Sequence, residues 1–169
     1  QEKAFNEIDA TLEEMGDAIG ELAWLRSGFQ EFNDYCKSND IRLSFVTNGL
    51  EFYVNAILRK TGLQHIPSYS VAVEGKPRKL RYSYPYATEE CWEWGNCKCK
   101  ILNQHRANGS KIVYVGDGLS DLCASQKADF VFARSTLLDH CRQLKLPFQE
   151  FTNFYDVLAA LKLGIPSVW

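Results

Sequence analysis

Lys111-Ile112-Val113-Tyr114-Val115-Gly116-Asp117-Gly118-Leu119-Ser120-Asp121 is the stretch that decides the fold. Its first five residues form an apolar, β-rich run that reads as a buried strand. Gly116-Asp117-Gly118 then turns the chain into a helix predicted from about Ser120 to Lys127. A strand at Asp129–Ala133 and a helix at Thr136–Leu144 follow. Strands alternating with helices predict an α/β fold with a parallel sheet covered on both faces.

Upstream, Ile41 to Thr47 reads as another strand, closed by Asn48-Gly49 ahead of a helix from Glu51 to Leu58 that stops near Gly62. Tyr69 to Tyr86 has a different pattern. Ser70–Val73, a turn at Glu74-Gly75-Lys76-Pro77 and Leu80–Tyr84 predict a hairpin projecting from the sheet, a candidate substrate flap. At the N-terminus Phe5, Ile8, Leu12, Met15, Ile19 and Leu22 recur at helical spacing and predict one amphipathic helix. Ser27 and Gln30 predict a capping box for a second helix running to about Asn39. A last helix, with Phe154, Val157, Leu158 and Leu161 inward, is predicted to end at Gly164 before Pro166.

The 169 residues, 46% of them hydrophobic, suffice for one sizeable core and predict a single domain over 1–169. Nineteen basic against 21 acidic residues give a net charge of -2, which supplies no broad positive field for nucleic acid or an anionic membrane. No window approaches the roughly 18 apolar residues of a membrane span, and the opening residues carry no signal-peptide pattern, so a cytoplasmic location is expected. The six cysteines are then read as reduced thiols, and Asn108-Gly109-Ser110 as a turn rather than a glycosylation site.

Ligands of open α/β sheets bind beyond the carboxyl ends of the strands. Asp117 and Asp121, four apart across a turn into a helix, can face one point and hold magnesium through oxygen; the alternative is a turn residue and a helix N-terminal acid. Thr47 offers a hydroxyl beside the backbone N–H groups of Asn48 and Gly49, where a helix N-terminus favours phosphate. Lys98 falls where a helix should start, and a cation there opposes the macrodipole unless an anion binds; a solvated lysine is the alternative, and Lys100 competes for the role. Cys91, Cys97 and Cys99 with His105 offer four zinc ligands, but the spacing fits no standard pattern and thiols lining a loop are the preferred reading.

In this order, a strand-end Thr, a Lys preceded by a cysteine-rich stretch (Cys91 to Lys98) and the Val115–Asp121 acidic loop resemble the haloacid-dehalogenase phosphatases, over about Ser27 to Leu161. The resemblance is nearest to the branch with the diketo-phosphate phosphatases of methionine salvage and the phosphocholine or phosphoethanolamine phosphatases. It implies a three-layer Rossmann-like parallel sheet with a projecting β-hairpin flap, a remnant helical cap over 1–26, and a flap and cysteine-rich loop over 69–96 inserted in the core. It also implies a magnesium-dependent phosphomonoester hydrolase acting on a small phosphorylated metabolite. Thr47, with Asn48 and Gly49, would bind the phosphoryl group. Lys98 would neutralise it, Asp117 would ligate Mg2+, and Asp121 would support the metal shell.

The family's first motif, DxDGT on an N-terminal strand, is not matched, since no Asp-x-Asp occurs in these residues. Glu7-Ile8-Asp9-Ala10-Thr11 is rejected as a decayed copy, because Ile8 falls on the helical stripe and no apolar strand precedes it. The nucleophile segment is therefore expected to be missing, whether truncated, lost, or supplied by a companion N-terminal segment or a homodimer partner, and the chain alone is expected to be inactive. The gap would lie between the strands ending at Thr47 and Asp117, closed by their direct pairing or filled from elsewhere. The alternative is a catalytically inactive relative that binds a phosphorylated ligand or a protein. Tyr82, Tyr84, Tyr86, Trp92 and Trp94 are candidates for an aromatic wall, packing being the simpler role.

Overall fold

The computed structural model describes residues 1–165, the side chains of residues 92–94 excepted, so Pro166 and the Trp92 and Trp94 side chains of the readings above lie outside the described residues. In chain order the first elements are α1 (Glu2–Asn6), α2 (Leu12–Leu22), α3 (Phe29–Ser38), β1 (Phe45–Leu50), α4 (Glu51–Thr61), β2 (Ser68–Lys76) and β3 (Lys79–Ser83). A 3-10 turn at Glu89–Trp94, α5 (Lys98–Ala107), β4 (Val113–Gly116), a 3-10 turn at Leu119–Asp121 and α6 (Leu122–Ser125) follow. The chain continues with β5 (Phe130–Ala133), α7 (Ser135–Leu144), β6 (Phe148–Glu150) and α8 (Phe154–Leu163). The α/β class with parallel pairing is as the sequence predicts.

The residues group into two compact units, Gln1–Leu25 with Leu43–Asn96, and Arg26–Arg42 with the chain from Cys97. In the first unit β1 pairs parallel with β2, and β2 pairs antiparallel with β3. The hairpin turns two residues later than predicted, because Lys76 faces Lys79 across the two-residue loop Pro77-Arg78. Proline presets the first loop position, and Arg78 takes φ 61° at the second. Gly75, at φ 129°, sits inside the ladder where a Cβ would lie 2.3 Å from the Lys79 carbonyl oxygen.

The single N-terminal helix is not observed. The chain leaves α1 after Asn6 and restarts at α2, where Thr11 and Glu14 form a reciprocal capping box. Thr-x-x-Glu is a start signal, and it overrides the apolar spacing that ran through it. Ile8 lies between the helices and is 41% exposed, so it is not on a buried stripe. α2 instead packs on α4, with Gly16 and Gly20 against Phe52 and Ala56.

In the second unit β4, β5 and β6 form a parallel sheet. Its core includes Ile101, Val131, Phe132, Leu137 and Val157, all essentially inaccessible. β6 was not predicted: three residues, two of them exposed, give too short a periodicity to read. Ser27 does not cap α3; the N-cap is Gly28 in the left-handed region, and the Ser27 carbonyl accepts from Phe154 N–H. A Cβ at residue 28 would meet Tyr155 N at 2.5 Å, so the close approach of this turn to α8 requires glycine. Phe29, Phe32 and Phe154 then pack edge-on and tilted against one another where α3 meets α8.

The described strands thus form two three-stranded sheets, β1-β2-β3 in the first unit and β4-β5-β6 in the second.

Candidate functional site

Asp121 organises the chemistry of the second unit. β4 delivers the chain to Gly116-Asp117-Gly118, and the 3-10 turn that follows brings the Asp121 carboxylate back under that loop, 5% exposed. Its Oδ2 accepts the backbone N–H of Asp117 (3.0 Å) and of Gly118 (2.9 Å). Its Oδ1 accepts the Tyr114 hydroxyl (2.6 Å) and the Lys98 ammonium (2.5 Å). A Cβ on Gly116 would come within 2.8 Å of this carboxylate, so only glycine admits it.

Burial alone would raise the Asp121 carboxyl pKa. The charge and hydrogen bond of Lys98, with the bonds from Tyr114 and Gly118, outweigh it and hold the group below the ordinary carboxylate value. The Tyr114 phenol is pushed well above its ordinary value by burial, then by the charge and hydrogen bond of Asp121. Tyr114 is therefore a neutral donor and Asp121 an anion.

Lys98 opens α5, as its position in the sequence predicted, and its ammonium also donates to Ser120 Oγ at 3.0 Å. The Lys98 side chain is only 11% exposed, which excludes the solvated-lysine alternative. Asp117 contrasts with Asp121. It is exposed, and among the described residues its carboxylate makes no hydrogen bond or ion pair. The structure thus brings Lys98, Asp117 and Asp121 into one arrangement and separates the two acids by function: one carboxylate is committed to four donors, the other is available. The available oxygens suit a hard cation such as magnesium, which takes one or two carboxylates and keeps much of its water.

In the first unit Thr47, Asn48 and Gly49 lie within β1 rather than after it, and α4 starts at Glu51. Thr47 Oγ1 accepts the Gly49 N–H at 2.9 Å, so that expected phosphate donor is engaged, while the hydroxyl's own proton is used by no described residue. Asn48 Oδ1 accepts the Asn96 N–H (2.9 Å), and Asn96 Oδ1 accepts from Tyr86 N–H (3.1 Å). Asn96 Nδ2 is buried and has no partner among the described residues. A Cβ on Gly49 would lie 2.7 Å from the Tyr53 hydroxyl, so a side chain there would displace the end of that ring.

Sequence reasoning missed Tyr114, Ser120 and Asn96. Tyr114 had a usable signal: a phenol inside a buried apolar strand needs an acceptor. Asn96 had none, since its partners are 10 and 48 residues away. Of the cysteines weighed with His105 as zinc ligands, Cys91, Cys97 and Cys99 are all buried, and Cys99 Sγ lies 2.7 Å from Cys123 Sγ, a residue outside that set. No described helix is long and apolar enough to cross a membrane.

The chain is 31% identical over 163 residues to a 2-hydroxy-3-keto-5-methylthiopentenyl-1-phosphate phosphatase of Brevibacillus brevis, covering 95% of this chain and 73% of that protein. It is 32% identical over 166 residues to the protein of the same name from Geobacillus kaustophilus, covering 95% and 74%. Residues 2–126 match the family described as haloacid dehalogenase-like hydrolase. The chain belongs to the haloacid dehalogenase-like hydrolases.

Proposed function

We propose that this chain is the scaffold of a magnesium-dependent phosphomonoester hydrolase acting on a small phosphorylated metabolite. The observation that carries the reading is the Lys98–Asp121 pair beneath the Gly116–Gly118 loop: a buried ammonium at the first turn of α5, with the Asp117 carboxylate of that loop unpartnered among the described residues. A loop held this firmly by its own acid is preorganised for charge that arrives with the ligand. The names of the relatives support a phosphorylated keto compound as the substrate class.

In this reading Thr47 donates its unused hydroxyl proton to a phosphoryl oxygen, and Asn48 and Gly49 shape the turn that presents it. Lys98 neutralises the phosphoryl charge. Asp117 holds Mg2+, and Asp121 supports the metal shell by fixing the loop through its four donors. Magnesium, when bound, would offset the negative charge on the phosphoryl oxygens. Transfer to a carboxylate would form one phosphorus–oxygen bond as the bond from phosphorus to the ester oxygen breaks, the leaving oxygen taking its proton from solvent water. No Asp-x-Asp is present to supply that carboxylate, which favours a second reading: these 169 residues bind the phosphorylated ligand without turning it over.

The experiment is a calorimetric titration with vanadate, a phosphate mimic, beside an assay with a general phosphomonoester. Binding lost in Lys98→Ala and kept in Lys100→Ala supports the assignment, and the reverse overturns it. Magnesium-dependent turnover by the 169-residue chain would remove the missing-nucleophile part of the reading and turn attention to Glu7 and Asp9.

A further inference from the structure

We propose that Arg134 is a second anion-binding residue, taking a phosphoryl oxygen of the ligand at the rim of the Gly116–Gly118 loop. The inference rests on the phosphate-binding reading above.

Arg134 follows β5 directly, at the carboxyl end of the second unit's sheet. Two backbone bonds fasten this corner to the acidic loop: Arg134 N–H donates to the Gly116 carbonyl and Leu137 N–H to the Asp117 carbonyl, both at 3.3 Å. Arg134 is half-buried, and one nitrogen of its guanidinium is not satisfied. Its Nη1 is buried with no hydrogen-bond partner, and it makes no ion pair among the described residues.

A desolvated donor without an acceptor is costly, and a charged one more so. Lysine or histidine could relieve that cost by shedding a proton, but arginine cannot. Of this unit's acids, Asp117 keeps a free carboxylate that the reading above gives to the metal, and among the described residues no ion pair joins it or any other acid to Arg134. Asp121 is committed to four donors, Asp129 to Arg106, and Glu150 to Arg142. An anion from solution would satisfy that nitrogen. A planar guanidinium matches the paired oxygens of a phosphoryl group. The N-terminus of the ten-residue helix α7, which begins one residue later, adds to the same preference.

The test is calorimetric titration of the 169-residue chain with inorganic phosphate, using Arg134→Met, Arg134→Lys and Lys98→Ala, with thermal melts in phosphate-free buffer. Methionine keeps the apolar stem and removes the charge; lysine keeps the charge and removes the fork. Arg134→Met is expected to bind phosphate at least tenfold more weakly and Arg134→Lys to fall between. Arg134→Met is also expected to melt no lower than the parent without phosphate, since a half-buried charge with an unpartnered nitrogen has been removed, and to gain less than the parent when phosphate is added. A guanidinium serving the fold would give the opposite melt.

Unchanged phosphate affinity in Arg134→Met, or a lower melting temperature without phosphate, overturns the role of Arg134. Loss of binding in Arg134→Met with full binding in Lys98→Ala would support Arg134 and overturn the Lys98 assignment. Loss in Lys98→Ala alone would do the reverse. A parent chain that does not bind phosphate overturns both.

Discussion

Tyr114 and Lys98 donate to the same carboxylate oxygen, Asp121 Oδ1, from 2.6 and 2.5 Å. One donor is a neutral phenol fixed in a strand, the other a cation at the start of a helix. The phenol and the two loop N–H groups share the charge of Asp121, so the ammonium need not be wholly consumed by its partner. Tyr114→Phe keeps the ring and leaves a buried carboxylate one donor short, a loss of about 1–3 kcal/mol. Denaturant unfolding measures it. Because both donors act on one oxygen, Tyr114→Phe and Lys98→Met should be non-additive by more than about 0.5 kcal/mol. Additive losses would mean that the two bonds are independent.

The pH dependence of this arrangement follows from Asp121. Its folded pKa lies below the ordinary value of 3.8, so the stability it contributes is fully present above 3.8 and is lost as pH falls from there through the folded pKa. Asp129 is also depressed, burial opposing and the Ile112 N–H and Arg106 prevailing, so the acid limb of the whole protein has more than one source. The difference in unfolding free energy between the parent and Asp121→Asn isolates the first. That difference should be flat above pH 4 and shrink below it. A gap that stays constant into strong acid would contradict an ionised Asp121.

Much of this was legible in the sequence, and the reason differs from residue to residue. The strand and turn carrying Asp117 and Asp121, and the start of α5 at Lys98, rest on local signals: an apolar run, a glycine-flanked acid, a helix boundary. The division of labour between the two acids was not legible, because it depends on where a 3-10 turn returns one carboxylate to the backbone. The end of β1 was misplaced because Asn-Gly normally marks a turn, whereas here the strand runs through it to Leu50. Long-range partners such as Asn48 and Asn96 leave no periodic trace.

The N-terminal break gives a local test of the same lesson. Thr11 Oγ1 accepts the Glu14 N–H at 3.2 Å, and Glu14 Oε2 accepts the Thr11 N–H at 2.8 Å. Thr11→Ala should cost about 1 kcal/mol through loss of the cap. Thr11→Ser should cost much less. Helix content by circular dichroism should fall only slightly in the folded state, because α2 is held by its packing on α4. An unchanged midpoint in Thr11→Ala would show that packing alone sets where α2 begins.

Asp117 permits the cleanest separation of function from stability. Its side chain is exposed and makes no hydrogen bond or ion pair among the described residues, while its backbone is held at both ends, N–H to Asp121 and carbonyl to Leu137 N–H. Asp117→Asn preserves size and both backbone bonds, so the fold should tolerate it within about 0.5 kcal/mol, as for other exposed substitutions. Magnesium binding should not tolerate it, because an amide offers one neutral oxygen where a carboxylate offers a charge. Calorimetric titration with magnesium is expected to show at least a tenfold loss in Asp117→Asn beside an unchanged unfolding midpoint. Asp121→Asn should instead lose both, since removing that carboxylate strands Lys98, Tyr114 and two loop N–H groups together. Equal magnesium affinity in Asp117→Asn and the parent would remove Asp117 from the metal's shell, and an equally large stability loss in the two variants would mean that the acids are not divided as the geometry indicates.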